Sequence, residues 1–320
     1  MSRDLPIGNG SLLINFDRNY QIRDIYFPYV GEFNHTLGHP SRFGVWAGGY
    51  FSWLSSPDWN KSLLYKDDTL VTHVTAINPQ LGIKLIINDV VDCLENIYFR
   101  KITAQNLSDH SREFHIFITH DLHLFENKAC DTAYYDPGQK AIIHYKRNQY
   151  CLINTMNHNN IGIEHYAVGI QDFKGAEGTW RDAEDGILSG DPIADGSVDS
   201  TISICLNMVG DGSAIAYYWM AFGSSYDEVS KLNDLVIKRT PEYFIKRTDD
   251  YWKSWLNIGI DNLNVRRSNY KDNLAIDLSD DILDLYKRSL LILRTQIDNR
   301  GAITAANDFD TVEVVNVCTP

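Results

Sequence analysis

Short apolar runs separated by turn residues dominate the first 222 residues of the chain. The runs are rich in Val, Ile, Tyr, Phe and Thr, and clusters of Gly, Pro, Asn and Asp interrupt them. A strand signal recurring about every 8–12 residues is typical of a β-sandwich. The segments with the clearest signal are 11–16, 22–27, 69–77, 83–91, 97–104, 114–125, 141–145, 150–154, 201–207 and 214–222. This pattern predicts a mainly β protein with two large antiparallel sheets packed face to face.

Segment 114–125 has the most regular alternation of apolar and polar residues. One face would carry Phe114, Ile116, Ile118, His120, Leu122 and Leu124, and the other His115, Thr119, Asp121 and His123. Because successive side chains of a strand point to opposite faces, the first set is predicted to face the core. We therefore expect His120 to lie among apolar neighbours with its hydrogen bonds satisfied, rather than at a ligand.

The pattern changes from strand to helix after residue 222. Ser225 is a good N-cap for a helix over 226–238, which has an apolar stripe and basic residues at its carboxyl end. Thr240 and Pro241 then form a cap and first-turn pair that predicts a second helix, with Gly259 as its stop. Residues 261–277 are polar and poorly periodic, so they are predicted to form a linker.

An amphipathic helix is predicted over 280–295, with acidic residues at its start and basic residues toward its end. Its apolar stripe, Ile282, Tyr286, Leu290 and Leu293, would be exposed or covered by the preceding domain. The chain is thus predicted to contain a β-sandwich domain at 1–224, a helical linker region at 225–278, and the opening helix and loop of a further helical domain at 279–320.

Composition and charge narrow the classes of function. The chain is 44% apolar and carries a net charge of −13, which repels the phosphates of nucleic acids and anionic lipids. It has neither a signal-peptide pattern nor an apolar run of about 18 residues. Its five cysteines are scattered without a Cys-x-x-Cys pair. We expect a cytoplasmic protein that binds neither nucleic acid nor membrane.

The sequence contains no motif that predicts a metal or a cofactor. His120, Asp121 and His123, with His115 nearby, offer metal-ligating atoms, but a strand places His120 and His123 on opposite faces. Phosphate-loop, dinucleotide-binding and serine-hydrolase motifs are all absent from the sequence. We therefore expect no cofactor.

A loop rich in His, Gly and Pro offers side chains that suit sugars. His35, His39, Arg42 and Trp46 lie in or just after this loop. Imidazole and guanidinium groups can hydrogen-bond sugar hydroxyls, and an indole provides a flat apolar contact for the ring face. A loop that is merely well ordered is the alternative.

A second candidate is the Gly-bounded segment 178–186, which places Trp180 and Arg181 beside the carboxylates Asp182, Glu184 and Asp185. Glycoside hydrolysis uses two carboxylates separated by about 5–9.5 Å. Acidic loops are more often solvated turns or interdomain ion-pair patches, and composition alone does not place these residues in catalysis.

Several motifs in order along the chain resemble the amino-terminal half of prokaryotic glucoamylase-type enzymes of glycoside hydrolase family 15. They are Pro6-Ile7-Gly8-Asn9-Gly10, Arg23-Asp24-Ile25-Tyr26-Phe27-Pro28, Asn34-His35-Thr36, His39-Pro40, Arg42-Phe43-Gly44-Val45-Trp46, Asp131-Thr132-Ala133-Tyr134-Tyr135-Asp136-Pro137, Gly178-Thr179-Trp180-Arg181-Asp182-Ala183-Glu184-Asp185-Gly186 and Gly196-Ser197-Val198-Asp199-Ser200. In the later part, Arg288-Ser289-Leu290-Leu291-Ile292-Leu293-Arg294-Thr295-Gln296 and Asn299-Arg300-Gly301-Ala302-Ile303 resemble the opening of that family's barrel.

The resemblance implies a super-β-sandwich, linker helices and a catalytic (α/α)6 barrel that hydrolyses α-glucosidic bonds with inversion, using two glutamates. Those glutamates belong to a later part of the barrel, and residues 311–320 lack the Trp-Pro-Arg-Asp segment expected next. The chain is therefore expected to be a truncated amino-terminal portion, inactive alone, whose barrel is supplied in cis or separately. Its expected substrate is an α-glucan or oligosaccharide.

The resemblance also bears on the candidate site. The sandwich residues His35, His39, Arg42, Trp46, Trp180 and Arg181 would shape the mouth of the sugar pocket, and Asn307 and Asp308 would approach it from the barrel. The alternative is a free-standing carbohydrate-binding or interaction protein without hydrolytic activity, which would bind sugars and release no glucose.

Overall fold

Antiparallel strands make up most of the computed structural model, which describes residues 4–172, 175–269 and 280–304, with the side chains of all of these except 261–269. The strands are β1 Leu5–Gly8, β2 Leu13–Phe16, β3 Ile22–Tyr29, β4 Glu32–Asn34, β5 Phe43–Ala47, β6 Tyr50–Trp53, β7 Asn60–Tyr65, β8 Thr72–Asn78, β9 Ile83–Val91, β10 Ile97–Asn106, β11 Arg112–Asp121, β12 Asp131–Asp136, β13 Ala141–Lys146, β14 Gln149–Asn157, β15 His165–Ile170, β16 Ile193–Gly196, β17 Val198–Met208 and β18 Ser213–Gly223. The helices are α1 Tyr226–Arg239, α2 Pro241–Asn269 and α3 Asp280–Thr295, with short 3-10 helices at Leu124–Glu126 and Thr179–Asp185.

The described strands form three sheets. A nine-stranded sheet has the order β16-β12-β13-β14-β18-β10-β9-β8-β7, and a five-stranded sheet has the order β15-β17-β11-β5-β6. Strands β1 to β4 form a smaller sheet in chain order. Buried side chains from all three sheets meet in one core. The predicted mainly β sandwich with two large antiparallel sheets is confirmed, and the four-stranded sheet adds to it.

The central strands of the nine-stranded sheet are buried on both faces. On β10, Tyr98 and Ile102 point into the main core, whereas Ile97 and Phe99 belong to a second cluster on the outer face. The linker helices cover that outer face, where Phe244 of α2 stacks on Phe99 with ring centroids 5.0 Å apart. This double coverage explains why the neighbouring strand β18 is continuously apolar from Ala214 to Phe222 rather than alternating.

Strand β11 confirms the predicted core face and corrects the predicted length. His120 is buried, with Nδ1 3.0 Å from Ser200 Oγ and Nε2 2.8 Å from Tyr218 OH, as expected for a satisfied core histidine. The strand ends at Asp121 rather than at residue 125. Leu124–Glu126 instead form a 3-10 helix, in which Phe125 takes a left-handed conformation with φ of 60°.

Helix α1 begins as predicted, with the Ser225 hydroxyl accepting from the Glu228 N–H at 3.3 Å. The predicted stop at Gly259 is wrong, since α2 continues to Asn269. A glycine inside a helix costs only about 1 kcal/mol, which the surrounding helix outweighs. Residues 261–269, predicted as linker, are therefore helical, and the rest of that predicted linker lies outside the described residues.

The last described segment is fastened to the sandwich. Leu291 of α3 is buried with Trp252 and Leu256 of α2, whereas Ile282 and Leu293 are about half exposed. After α3, the N–H of Asn299 donates to the carbonyl of Gly10 at 2.8 Å. None of the described helices is long and apolar enough to cross a membrane.

Candidate functional site

Two carboxylates lie directly opposite each other on adjacent strands of the five-stranded sheet. Asp121, the last residue of β11, pairs in register with Asp199 of β17, so the two side chains share one face. Both residues are buried. Like charges directly opposite each other destabilise a sheet unless other groups compensate them. The neighbours of this pair therefore define the candidate site.

Arg42 supplies positive charge to both carboxylates. Its backbone N–H donates to Thr119 Oγ1 at 2.8 Å, which holds the residue beside β11. Burial lowers the pKa of Arg42, and the charges of Asp121 and Asp199 partly offset that effect. Within the described part of the chain, its guanidinium makes no hydrogen bond. Its guanidinium N–H groups are thus unpaired among the described residues.

The indole of Trp180 forms a flat surface between two arginines. The guanidinium carbons of Arg42 and Arg181 lie 4.7 and 4.2 Å from its ring centroid. The indole N–H donates to the Glu177 carbonyl at 2.8 Å, and the ring remains partly exposed. Arg181 differs from Arg42, because its guanidinium is hydrogen-bonded to the carboxylates of Glu177 and Glu184.

The 3-10 helix Thr179–Asp185 that carries Trp180 is anchored by Asp199. Oδ2 of Asp199 accepts from the Thr179 N–H at 2.6 Å and from its hydroxyl at 2.9 Å. Gly178 has φ of 115°, and a Cβ there would lie 2.7 Å from the same oxygen. Burial raises the pKa of Asp199 to about 6, against the hydrogen bonds from Thr179. Asp199 thus fixes where Trp180 lies.

Asp121 is surrounded by two imidazoles and an amide. His39 Nδ1 lies 3.4 Å from its Oδ2, and His123 Nε2 lies 2.8 Å from its Oδ1. The Gln171 amide also donates to Oδ1. Burial raises the pKa of Asp121, but the two imidazoles outweigh burial and hold it below its ordinary value.

His35 is buried and hydrogen-bonds two backbone groups inside the fold. Its side chain is fully buried, with Nε2 donating to the Phe27 carbonyl at 2.7 Å and Nδ1 accepting from the Phe125 N–H at 3.2 Å. Burial lowers its pKa to about 4, against the hydrogen bond to Phe27. Both ring nitrogens are therefore occupied by partners within the fold, and the sugar contact of His35 stays a prediction.

Trp46 lies beneath the carboxyl end of the same 3-10 helix. A Cβ at Gly186, where φ is 89°, would lie 2.8 Å from the Trp46 ring. The ring also packs on His115 at a centroid distance of 5.2 Å. Of the predicted site residues, His39, Arg42, Trp180 and Arg181 come together at one surface, and Trp46 lies behind it. Asn307 and Asp308 lie outside the described residues.

The acidic residues of this helix have local partners. Glu184 pairs with Arg181 at 3.1 Å. Asp185 accepts from the Ile187 N–H at 2.9 Å, and Asp182 accepts from the Ser189 N–H at 3.3 Å. These contacts are those expected of an ion-paired turn, the alternative to a catalytic carboxylate pair.

Sequence reasoning missed the roles of Gln171 and Asp199. Asp199 lies in the motif Gly196-Ser197-Val198-Asp199-Ser200, but nothing in that motif indicates pairing with Thr179, twenty residues earlier. Gln171 follows β15 without any distinguishing pattern. Their positions depend on strand register, which local sequence does not encode.

The sheets described above define the class of fold, an antiparallel β-sandwich covered by helices. Among solved structures, the chain is similar to a bacterial glucoamylase complexed with acarbose, with a TM-score of 0.68 and 14% identity. The match covers 93% of this chain and 41% of the glucoamylase. At this identity the likeness establishes the fold alone.

Two further structures match more distantly. One is a putative kojibiose phosphorylase from the human microbiome, with a TM-score of 0.42, 9% identity, and coverage of 77% of this chain and 35% of that one. The other is a family GH92 α-mannosidase from Bacteroides thetaiotaomicron, with a TM-score of 0.39, 11% identity, and coverage of 80% and 35%. No family model and no curated protein sequence matches the chain.

Proposed function

We propose that the chain is the sandwich portion of a glucoamylase-like hydrolase that cleaves α-glucosidic bonds of oligosaccharides. The sugar-facing surface in this proposal consists of His39, Arg42, Trp180 and Arg181. The observation that carries it is the guanidinium of Arg42, which lies on the partly exposed ring of Trp180 with its donors unused. The likeness of fold to a bacterial glucoamylase supports the class of substrate.

This surface has the chemistry that sugars require. A sugar presents hydroxyl acceptors and donors around its edge and apolar C–H groups on its faces. The Trp180 ring offers a flat apolar contact, and the planar guanidinium of Arg42 offers several donors in a fixed geometry. Trp46 and Asp199 support the surface from behind, because each contacts the segment that carries Trp180.

Catalysis in this proposal belongs to an (α/α)6 barrel joined to the sandwich in cis or supplied separately. The described residues offer a surface for it, since Ile282, Leu285 and Leu293 of α3 are 50, 67 and 52% exposed. Covering such a stripe requires another apolar element. Asn307 and Asp308 remain predicted contacts of the sugar from the barrel side.

Calorimetric titration with maltose, maltotriose and trehalose tests the sugar-facing surface. We expect binding by the natural chain and a loss of at least about tenfold in Arg42→Met and Trp180→Ala, because hydrogen bonds to charged groups contribute about 1.5–3 kcal/mol. Tyr243→Ala is the matched control. That tyrosine is also exposed beside two arginines, Arg239 and Arg247, at 5.6 and 5.5 Å, on helix α2.

A glucose-release assay tests the hydrolytic part of the proposal. The chain alone should release no glucose from maltotriose, and the chain together with the catalytic barrel should release it. Binding without release in either case would support the alternative, a carbohydrate-binding protein. Absence of binding to all three sugars, or equal weakening by Tyr243→Ala, would overturn the proposed surface.

A further inference from the structure

Two of the metal-ligating residues considered in the sequence lie together, joined by a third from a distant loop. Asp121 ends β11 and His123 follows it by two residues, so both side chains can reach the same side of the chain. His39 comes from the loop before β5. One ligand atom from each residue lies within 4.8 Å of the others. His120, which strand alternation places on the face opposite His123, is directed into the core.

His123 is a buried histidine without a hydrogen bond. Its side chain is 0% exposed, and neither ring nitrogen has a hydrogen-bond partner among the described residues. Nε2 lies 2.8 Å from Asp121 Oδ1, but the carboxylate oxygen is not placed along the N–H direction. Buried polar atoms are nearly always satisfied in folded proteins. Nε2 of His123 is therefore expected to have a further partner, located beside the carboxylate of Asp121.

We propose that His39, Asp121 and His123 bind a divalent transition-metal ion of the zinc class. Two imidazole nitrogens and one carboxylate oxygen are the donors that such ions prefer. A tetrahedral ion with bonds of about 2.0–2.1 Å holds its ligand atoms about 3.3 Å apart. His39 Nδ1 lies 3.4 Å from Asp121 Oδ2, and His123 Nε2 lies 2.8 Å from Oδ1. One ligand atom from each residue lies within 4.8 Å of the others, so a small adjustment of the side chains would bring the three to that spacing.

The residues around the three proposed ligands also favour a metal site. The Gln171 amide donates to Asp121 Oδ1, as partners outside the ligand set commonly do to orient a ligating carboxylate. The His39 side chain is 30% exposed, so the fourth coordination position opens toward water. Arg42 follows His39 by three residues. A bound ion would therefore fix the loop that positions Arg42 against Trp180.

A second cluster, Glu113, His115 and Cys205, also brings ligand atoms together. It lacks the unsatisfied histidine, because His115 Nε2 is already hydrogen-bonded to Glu113 Oε1 at 2.5 Å. Glu113 is also about half exposed. This cluster provides the matched control for the experiment, since its thiol gives a distinct spectroscopic signal.

The test measures Zn²⁺ binding by the full chain after chelator treatment, using calorimetry and metal analysis. We expect one Zn²⁺ per chain and a rise in Tm of several degrees. His39→Gln should weaken binding by at least about tenfold, and Gln171→Leu by about 10–100-fold. His115→Gln should bind as the natural chain does. His39 lies in a partly exposed loop, so its variant remains informative where a variant of buried His123 fails to fold.

Co²⁺ distinguishes the two clusters by absorption. Ligation by His39, Asp121 and His123 gives ligand-field bands without a thiolate charge-transfer band, and these bands should disappear in His39→Gln. A thiolate band, or loss of binding in His115→Gln, would assign the ion to the Cys205 cluster and overturn the proposal. Unchanged affinity in His39→Gln, or no stoichiometric binding by the natural chain, would overturn it as well. None of these outcomes depends on sugar binding.

Discussion

Asp89 and Asp121 are both buried toward the ends of inner strands, but the residues that pair with them across the sheet carry opposite charges. Asp89 on β9 pairs in register with Arg100 on β10, whereas Asp121 on β11 pairs with Asp199 on β17. Opposite charges across a sheet stabilise it, and like charges destabilise it. One cluster is therefore organised for stability, while the other retains unbalanced charge and unsatisfied atoms.

The Asp89 cluster is closed, in the sense that its side chains are buried and hydrogen-bonded to one another. Oδ1 accepts from Arg100 Nε at 2.7 Å and from Tyr98 OH at 2.5 Å, and Oδ2 accepts from Thr72 at 2.8 Å and from Tyr20. One terminal nitrogen of Arg100 lacks a hydrogen bond, but aromatic rings surround its guanidinium, with the Tyr20 centroid 4.9 Å away. All of these side chains are inaccessible, so the cluster can contribute only to the fold.

The Asp121 cluster is open by contrast, in the sense that some of its polar atoms lack hydrogen bonds and it extends to the surface. His123 lacks a hydrogen bond, Asp199 Oδ1 lacks one too, and Arg42 keeps its donors unused within the described residues. Side chains at this end of the sheet reach the surface through His39 and Trp180. Unsatisfied buried polar groups cost stability, so their retention at a surface points to a ligand. The comparison thus separates polar residues that build the fold from those that we propose to bind a ligand.

The largest expected effect is that of Arg100→Met on stability. The substitution leaves Asp89 buried without its cation, which typically costs about 3–5 kcal/mol. Urea unfolding should show this loss of free energy, and thermal unfolding should show a fall in Tm of about 10 °C. Adding Asp89→Asn should restore most of the stability, because it removes the unpaired charge. A loss below about 1 kcal/mol for Arg100→Met would show that the cluster is not the main electrostatic support of the core.

Sequence patterns predicted the core face of β11 better than the cluster around Asp121, and the reason is physical. Alternation placed His120 in the core correctly because burial of alternate residues follows directly from strand geometry. The same reasoning separated His120 from His123 but could not place His39, which arrives from a loop. The pairing of Asp121 with Asp199 depends on the register of two strands nearly eighty residues apart, and no local signal sets that register.

The helical region also shows that sequence patterns predict local interactions better than packing. Ser225 was a reliable start signal because capping is a local interaction with Glu228. Gly259 failed as a stop signal, since glycine only lowers helix stability and the packing of Trp252 and Leu256 outweighs that cost. Start and cap residues were therefore predictable, whereas features decided by packing were not.

A smaller effect is expected at His144, a buried histidine near the Asp121 cluster. Burial lowers its pKa to about 3, although the charge of Asp121 opposes that effect, and its Nε2 is 2.8 Å from Ser200 Oγ. The folded state therefore keeps His144 neutral, while the unfolded chain takes up a proton below about pH 6.5. Stability contributed by the neutral ring is complete above that pH and is lost as the pH falls toward 3.

Unfolding free energy measured between pH 6.5 and 4.5 checks this effect. The natural chain should lose up to about 1.4 kcal/mol per pH unit through His144, and His144→Gln should lack that contribution. Ser200 keeps His120 as a partner in the variant, so folding should persist. Parallel pH profiles for the two proteins would mean that His144 is protonated in the folded state.

The smallest expected effect on stability is that of Arg42→Met, the same substitution as in the closed cluster. Arg42 is partly exposed, and its guanidinium makes no hydrogen bond within the described residues. Asp121 and Asp199 keep their hydrogen bonds from Gln171 and Thr179 without it. Removal of the Arg42 guanidinium should therefore change the free energy of unfolding by less than about 1 kcal/mol. Urea unfolding beside Arg100→Met provides the comparison, and loss of sugar binding by a folded Arg42→Met protein would complete it. If Arg42→Met instead destabilises the chain as much as Arg100→Met does, Arg42 serves chiefly to neutralise Asp121 and Asp199. The open cluster would then be a second structural cluster, and unused donors at a sheet end would no longer distinguish binding residues from those that hold the fold together.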